Sequence, residues 1–365
     1  MNALPKVELR HAYRTAVSAA TRMALPFRSR DRRIAVFYGG ARRGSLGGPL
    51  VKVGLLASRF PEHRIGYSLL YMLSNAIYLS QSAIEAIGRA DVPIVVNQNG
   101  VYYRAWYPVG WERENARMAA LQVAADHVFY QSEFCRRCAD NFLGKRSGPS
   151  EILYNAVDTA RFSPMPLSAE RRPFTFLITG KIFPSTAYSL RAAIAGFAAA
   201  RRGGLDVHLR IAGAIDAVSL KEMHDLLERE RLTDAVTFLG PYRHDDAPAL
   251  YGSADAYLTA KCNDSCPNAV IEALSSGLPV LYSASGGVPE LVGEEAGVGL
   301  TISESFEETP TPSPEAIAEG MARIVRARET MSMAARSRAV ARFDIETWFA
   351  RHQAVFAGLM TSRPR

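Results

Sequence analysis

Short apolar runs that stop at glycine recur along this chain, each followed by a stretch of helical character, and they fall into two series. In the first, Ile34-Ala35-Val36-Phe37-Tyr38 ends at Gly39-Gly40, and Leu50, Val51, Val53, Leu55 and Leu56 then suit a helix. Strands are expected at 64–73, 93–96 and 127–130, with helices at 76–88 and 111–124 and a third that runs from an N-cap at Ser132 to about Leu143. The second series opens with Phe174–Ile178, which ends at Gly180, and continues through a helix over about 188–202 and a strand over 207–212. A helix at 219–231, a strand at 236–240 and short βα units at 256–259 and 279–282 complete it. Such alternation predicts two doubly wound parallel-sheet domains, joined near 155–170, with ligand in the cleft between them.

The size agrees. At 365 residues the chain is too long for one ordinary core and about right for two. With 48% hydrophobic and 22% charged residues it has a globular composition, which excludes disorder and fibrous repeats. The four cysteines, at 135, 138, 262 and 266, are too few for a disulfide scaffold of this size. A reducing, cytoplasmic setting is the expectation, since no apolar signal core follows the basic N-terminus. Ile65–Ile87, the one candidate membrane span, contains Ser68, Asn75, Gln81, Ser82 and Glu85 and is rejected. The spacing Cys135-x-x-Cys138 and Cys262-x-x-x-Cys266 invites a zinc site, but no His stands at ligand spacing from either pair, so no metal is expected.

Charge is unevenly placed. Residues 1–155 hold 21 basic and 11 acidic side chains, and residues 156–365 hold 22 and 25. The basic half suits an anionic surface, whether lipid or phosphate, or serves solubility alone. It has no RNP-like aromatic pattern and no helix-turn-helix signature, so nucleic acid is not an expected partner. Residues 1–33 read as a basic leader in which Lys6, Arg10, Arg14, Arg22, Arg28, Arg30, Arg32 and Arg33 face only Glu8 and Asp31. Its irregular apolar stripe gives two readings, a segment lying on the inner face of the membrane or a disordered leader with no partner.

The chemistry concentrates at Cys262-Asn263-Asp264-Ser265-Cys266-Pro267-Asn268-Ala269-Val270-Ile271-Glu272, followed by Ser285-Gly286-Gly287. Pro267 suits the first turn of a helix, whose free N–H groups at Asn268 and Ala269 form a site for a diphosphate. Glu272 sits one turn in, where a carboxylate can accept both hydroxyls of a ribose, and Asp264 on the loop can accept sugar hydroxyls. Gly286-Gly287 lets the backbone approach a ligand closely. Taken alone, Asp264 could cap its loop and Glu272 could be a helix-surface residue.

These motifs resemble the retaining glycosyltransferases of the two-Rossmann-domain (GT-B) type, specifically the large family 4. Asp264 and Glu272 match its two acidic residues eight apart, and Glu272 to Val280 matches its E-A-x-x-x-G-x-P-V run. Tyr154–Pro164 resembles the interdomain linker, Gly180-Lys181 the Gly-Arg step that binds the diphosphate, Gly47-Gly48 the first glycine-rich loop, and Phe343–Phe356 the closing helix. The resemblance runs from about 34 to 358. It implies two Rossmann-like domains facing across a cleft, an acceptor-side domain at 34–165 with the C-terminal helix (about 343–365) and a donor-binding domain at 166–342.

The activity it implies is transfer of a hexose-type sugar from a UDP- or GDP-linked donor to a hydroxyl of a glycan or lipid-linked acceptor, as in bacterial polysaccharide or lipopolysaccharide assembly. No cofactor or metal is implied. Lys181 and the N–H groups at Asn268 and Ala269 would hold the departing phosphates, Asp264 the sugar, Glu272 the ribose, and Gly47, Gly48 and Gly180 the close approach. Asn99, in Asn97-Gln98-Asn99-Gly100 where the family often has a His, would line the acceptor side without acting as a base. The chain departs from the pattern by having Asp at the first acidic position, and by having no cation after Lys181 until Arg191. The alternative function is a binding or scaffold protein that kept the fold and lost catalysis.

Overall fold

The computed structural model describes residues 6–29, 33–42, 44, 48–165 and 173–362, without the side chains of 6–8, 48 and 49. The chain divides into two units. The first comprises residues 1–102, 110–154 and 347–365, and the second 103–109 and 155–346.

In the first unit five parallel strands lie in chain order, β1 (Val36–Phe37), β2 (Leu69–Leu73), β3 (Ile94–Gln98), β4 (His127–Tyr130) and β5 (Ser150–Ile152). Strands β2, β3 and β4 are buried from end to end, which is why their apolar residues run together rather than alternate, although β3 closes on the buried polar pair Asn97-Gln98 and β4 opens on His127. The helices are α1 (Lys6–Ala24), α2 (Gly48–Arg59), α3 (Gln81–Arg89), α4 (Trp111–Ala124) and α5 (Glu133–Phe142). Ser132 caps α5 by accepting the Cys135 N–H at 3.0 Å, as its position predicts. Helix α3 begins at Gln81 rather than 76, because Ser80 caps it through the Ala83 N–H. The strand expected from 64 is confined to 69–73.

The leader is described from Lys6 to Ser29, and there it is no separate segment. Helix α1 docks on the first unit: Tyr13 Oη donates to the Gly40 carbonyl at 2.7 Å, and Ser18 Oγ accepts from the Ser80 N–H at 2.8 Å. Small residues, Ser18, Thr21 and Ala24, make the buried face.

The second unit is doubly wound. Its strands are β6 (Phe174–Thr179), β7 (Val207–Ala212), β8 (Val236–Gly240), β9 (Ala256–Thr259), β10 (Val280–Ser283) and β11 (Gly297–Leu300), in the order β11-β10-β9-β6-β7-β8. All pairs are parallel, and the strand order reverses between β6 and β9. Open parallel sheets leave a crevice at the carboxyl ends of the strands flanking such a reversal. The helices are α6 (Ala187–Arg202), α7 (Ala217–Glu230), α8 (Ala247–Gly252), α9 (Asn268–Ser275), α10 (Val288–Val292) and α11 (Pro314–Arg342), and α12 (Ile345–Thr361) follows. The core packs Phe176, Leu209, Ile194, Phe197, Met223 and Ile317 between sheet and helices.

The expected linker belongs to the second unit, with the boundary between Tyr154 and Asn155 rather than near 165. Hydrogen bonds explain this. Arg336 Nη1 donates at 2.9 Å to the carbonyls of Thr159, Phe162 and Ser275, and Ser275 Oγ donates to Phe162 O at 2.6 Å. Asn155 Nδ2 donates to Cys266 O and to Asn268 Oδ1, each at 2.8 Å. The chain passes to the first unit again at Thr347, where the buried ring of His352, with its pKa lowered to about 3 by burial, pairs its Nε2 with Tyr71 Oη at 3.0 Å.

Candidate active site

The crevice at the β6/β9 reversal is where the second unit collects its chemistry. Strand β6 runs out into Gly180-Lys181, and β9 runs out into Ala260-Lys261 and the loop that holds Asp264. Pro267 is the N-cap of α9, one position ahead of the first-turn place expected for it. No side chain caps this helix, so the N–H groups of Asn268 and Ala269 are left at its positive end.

Asp264 is half-buried on this loop. Desolvation pushes its carboxyl above the usual range, while the charge of Lys261 and a bond from the Cys266 N–H pull the other way. Asp264 therefore does cap its own turn, on the loop that leads into the free end of α9.

The loop is braced from behind. Asn263, in the left-handed region at φ 55°, accepts from Ser285 Oγ at 2.9 Å, receives that oxygen on its own N–H at 2.8 Å, and donates to Ser305 O at 2.7 Å. Gly287 N–H bonds Asp264 O at 2.9 Å. A Cβ on Gly286 (φ 69°) would lie 2.4 Å from Asp264 O, so this glycine gives close approach to the chain's own loop rather than to a ligand.

Glu272 is half-buried inside α9 and accepts a bond from Tyr251 Oη at 2.9 Å. Burial raises its pKa to about 6, against the pull of Tyr251 and the charge of Arg161. Tyr251 belongs to a hydroxyl cluster beneath the crevice. Thr179 Oγ1 stands 3.0 Å from Tyr251 Oη and 3.1 Å from Tyr257 Oη, and Tyr242 bonds both Thr179 and Tyr251. Arg161 is anchored to His244 O at 2.8 Å and Asp245 at 3.0 Å.

Asp264, Gly180, Lys181, Asn268, Ala269 and Glu272 thus converge in one unit, although Lys181 is exposed. Arg191 does not join them: it lies exposed on α6, ion-paired with Glu222 of α7 at 2.7 Å. In its place the structure brings Lys261, whose Nζ would sit 3.7 Å from a Cβ on Gly180. Tyr251, Arg161 and Lys261 escape sequence reasoning because they come from three separate stretches of chain and form no spaced motif, and Asn263 lies inside the motif but gives no sign of its bracing role.

In the first unit Gly48 opens α2, while Gly47 lies outside the described residues. Asn99 follows β3, its N–H bonded to Ser74 Oγ at 2.9 Å. Beside it the buried Lys52 donates to Asn97 Oδ1 at 2.8 Å, which also accepts from Gln131 at 3.0 Å. Cys135 and Cys138 are buried in this unit and Cys262 and Cys266 in the other, and none of the four is in a disulfide. Among the described residues no three His, Cys, Asp or Glu side chains converge as metal ligands, and no helix is long and apolar enough to cross a membrane.

Residues 187–339 match the family described as glycosyl transferases group 1. A D-inositol 3-phosphate glycosyltransferase of Salinispora tropica is 29% identical over 163 residues, 40% of this chain and 34% of that one. The phosphatidylinositol N-acetylglucosaminyltransferase gpi3 subunit of Schizosaccharomyces pombe is 26% identical over 169 residues, 46% and 36% of the two chains. The chain thus covers about a third of the length of these curated relatives. Among solved structures, HepE of Anabaena in complex with UDP superposes over 85% of this chain and 82% of its own, with a TM-score of 0.66 at 19% identity. Sucrose-phosphate synthase from Thermosynechococcus elongatus does so over 81% and 75%, with a TM-score of 0.64 at 19% identity. The fold is the two-domain GT-B fold of glycosyltransferases.

Proposed function

We propose that the chain is a retaining glycosyltransferase of family 4 that moves a hexose-type sugar from a UDP- or GDP-linked donor to a hydroxyl of a glycan or lipid-linked acceptor, in bacterial polysaccharide or lipopolysaccharide assembly. The observation that carries this reading is the placing of Asp264 and Glu272 on either side of the uncapped start of α9, within the segment that matches the group 1 family. UDP in the related Anabaena fold supports a nucleotide-linked donor.

In this reading the diphosphate lies on the Asn268 and Ala269 N–H groups with Lys181 beside it, and the helix dipole stabilises the charge that develops as the nucleotide departs. Glu272 accepts the ribose hydroxyls and Asp264 the sugar hydroxyls. The acceptor attacks on the face the nucleotide leaves, and the leaving phosphate takes its proton; no metal is required. Asn99 lines the acceptor side.

Asp264→Asn tests the assignment. It should lower transfer on the order of 10- to 100-fold through the loss of a charge-assisted bond, with nucleoside diphosphate affinity nearly unchanged. Equal losses in both would remove Asp264 from sugar contact. A wild-type chain that binds donor but neither transfers nor hydrolyses it would be the fold retained for binding alone.

We further propose that the first unit rests on an anionic membrane surface. Met23, Phe27 and Ile65 are each more than two-thirds exposed, at 77%, 70% and 69%, around an apolar groove of about 520 Å³. Arg22 and Arg64 are exposed beside them. Each basic residue near an anionic leaflet contributes about 1 kcal/mol. Vesicles containing anionic lipid should co-sediment the chain at low salt and release it at about 0.5 M, where the Debye length is only a few ångströms. Arg22→Glu with Arg64→Glu should abolish the binding; an unchanged double variant would refute the surface.

A further inference from the structure

We infer that Lys261 is the second cation of the diphosphate site, a role that falls to it because no basic residue follows Lys181 before the ion-paired Arg191. This rests on the donor-binding reading above. The argument begins with topology. Strands β6 and β9 are neighbours in register, Phe176 with Ala256 and Leu177 with Tyr257, so both chains leave the sheet side by side at the crevice. One delivers Gly180-Lys181 and the other Lys261.

The Lys261 ammonium hangs over the bare backbone of Gly180, at 3.7 Å from where a Cβ would be. Among the described residues no carboxylate lies within ion-pair distance of Lys261 or Lys181, so neither charge is committed elsewhere. Its field does reach Asp264, where it opposes the upward push of desolvation on the carboxyl, and Asp264 shares a loop with the open end of α9. The ammonium is therefore close to Gly180, which precedes Lys181, and close enough to Asp264 to act on its carboxyl.

The two lysines are not equivalent. Lys181 is exposed, and it must give up side-chain freedom and strong hydration when it meets a phosphate. Lys261 is half-buried, so its side chain has less freedom left to lose. A cation held in place before the ligand arrives costs less to order, so Lys261 should contribute more of the diphosphate affinity than Lys181.

The test compares four ligands, UDP, GDP, uridine and guanosine, by calorimetric titration of the full chain and its Lys261→Met, Lys261→Arg and Lys181→Met variants. Lys261→Met should weaken whichever diphosphate the wild type binds on the order of 10- to 100-fold, as expected for a lost charge-assisted contact, and leave the matching nucleoside unchanged. Lys261→Arg should restore most of the affinity, and Lys181→Met should cost less than Lys261→Met. Diphosphate affinity equal to wild type in Lys261→Met overturns the inference. Parallel loss of nucleoside and diphosphate overturns it too, since that marks a collapsed loop. A wild-type chain that binds neither diphosphate removes the donor-binding reading itself, and the role of Lys261 falls with it.

Discussion

Replacing Gly286 with alanine is expected to lower sugar transfer on the order of 100-fold and to destabilise the second unit by about 2–5 kcal/mol. Two costs add. The residue holds φ at 69°, a region in which a Cβ costs about 1–2 kcal/mol. That Cβ would also lie 2.4 Å from Asp264 O and 2.7 Å from Asp264 N, both backbone atoms with no freedom to swing aside. Overpacking of this kind costs about 1–3 kcal/mol. Relief requires the Asp264 loop to move away from the start of α9, and displacements near 1 Å suffice for rate losses of about 100-fold. Thermal unfolding and a transfer assay measure both effects. Gly88→Ala is the control: it lies within α3 with nothing inside 4 Å of its Cβ position, and should be neutral or slightly stabilising. If Gly286→Ala melts and transfers like Gly88→Ala, the brace described here does not act on Asp264.

Glu272→Gln should weaken nucleoside diphosphate binding by about 1.5–3 kcal/mol, roughly 10- to 150-fold, because an amide forms no charge-assisted bonds to ribose hydroxyls. The effect is tied to pH. Burial raises the Glu272 pKa to about 6, so below that value the carboxyl is mostly neutral and above it ionised. Donor affinity of the wild type should therefore rise between pH 5 and pH 7.5, and that of the variant should stay flat across the same interval. The stability effect has the opposite sign. A carboxyl whose folded pKa lies above its unfolded 4.5 favours the folded state at low pH, and that contribution is lost as pH rises through about 6. The glutamine variant lacks this dependence. Titrations at the two pH values decide the matter, and an equal slope in wild type and variant would assign the pH effect to another group.

The elements that build this site differ in how far they could be read from residues alone. Buried strands such as β3 and β6 and the capped helix α5 announce themselves not through a period but through apolar runs and a serine in the right place. The pair Asp264 and Glu272 is visible because a loop–helix junction keeps its spacing in sequence. The hydroxyl cluster under Glu272 is not, since Thr179, Tyr242, Tyr251 and Tyr257 meet only when β6, β9, α8 and the loop after β8 pack together. Lys261 reads as an ordinary lysine at a strand end until β9 is known to lie beside β6. Helix α1 has an irregular stripe because it docks through Ser18, Thr21 and Ala24, which a search for large apolar residues passes over. Elements of three to six residues, β5, α8, α10 and β11, are too short for any period to show.

Residues 103–109 come from the first half of the chain yet belong to the second unit, where Ala105 N–H bonds Phe306 O at 3.0 Å and Tyr103 packs edge-on to Phe306 at 5.3 Å. Phe306 adjoins Ser305, whose carbonyl holds Asn263 of the site loop at 2.7 Å. The second unit is consequently not encoded as one contiguous stretch. A chimera made by joining a foreign N-terminal half at Asn155 would exchange this strap along with the first unit, and with it the outer support of the Asp264 loop. The second unit can be transplanted intact only if the seven strap residues travel with the C-terminal half.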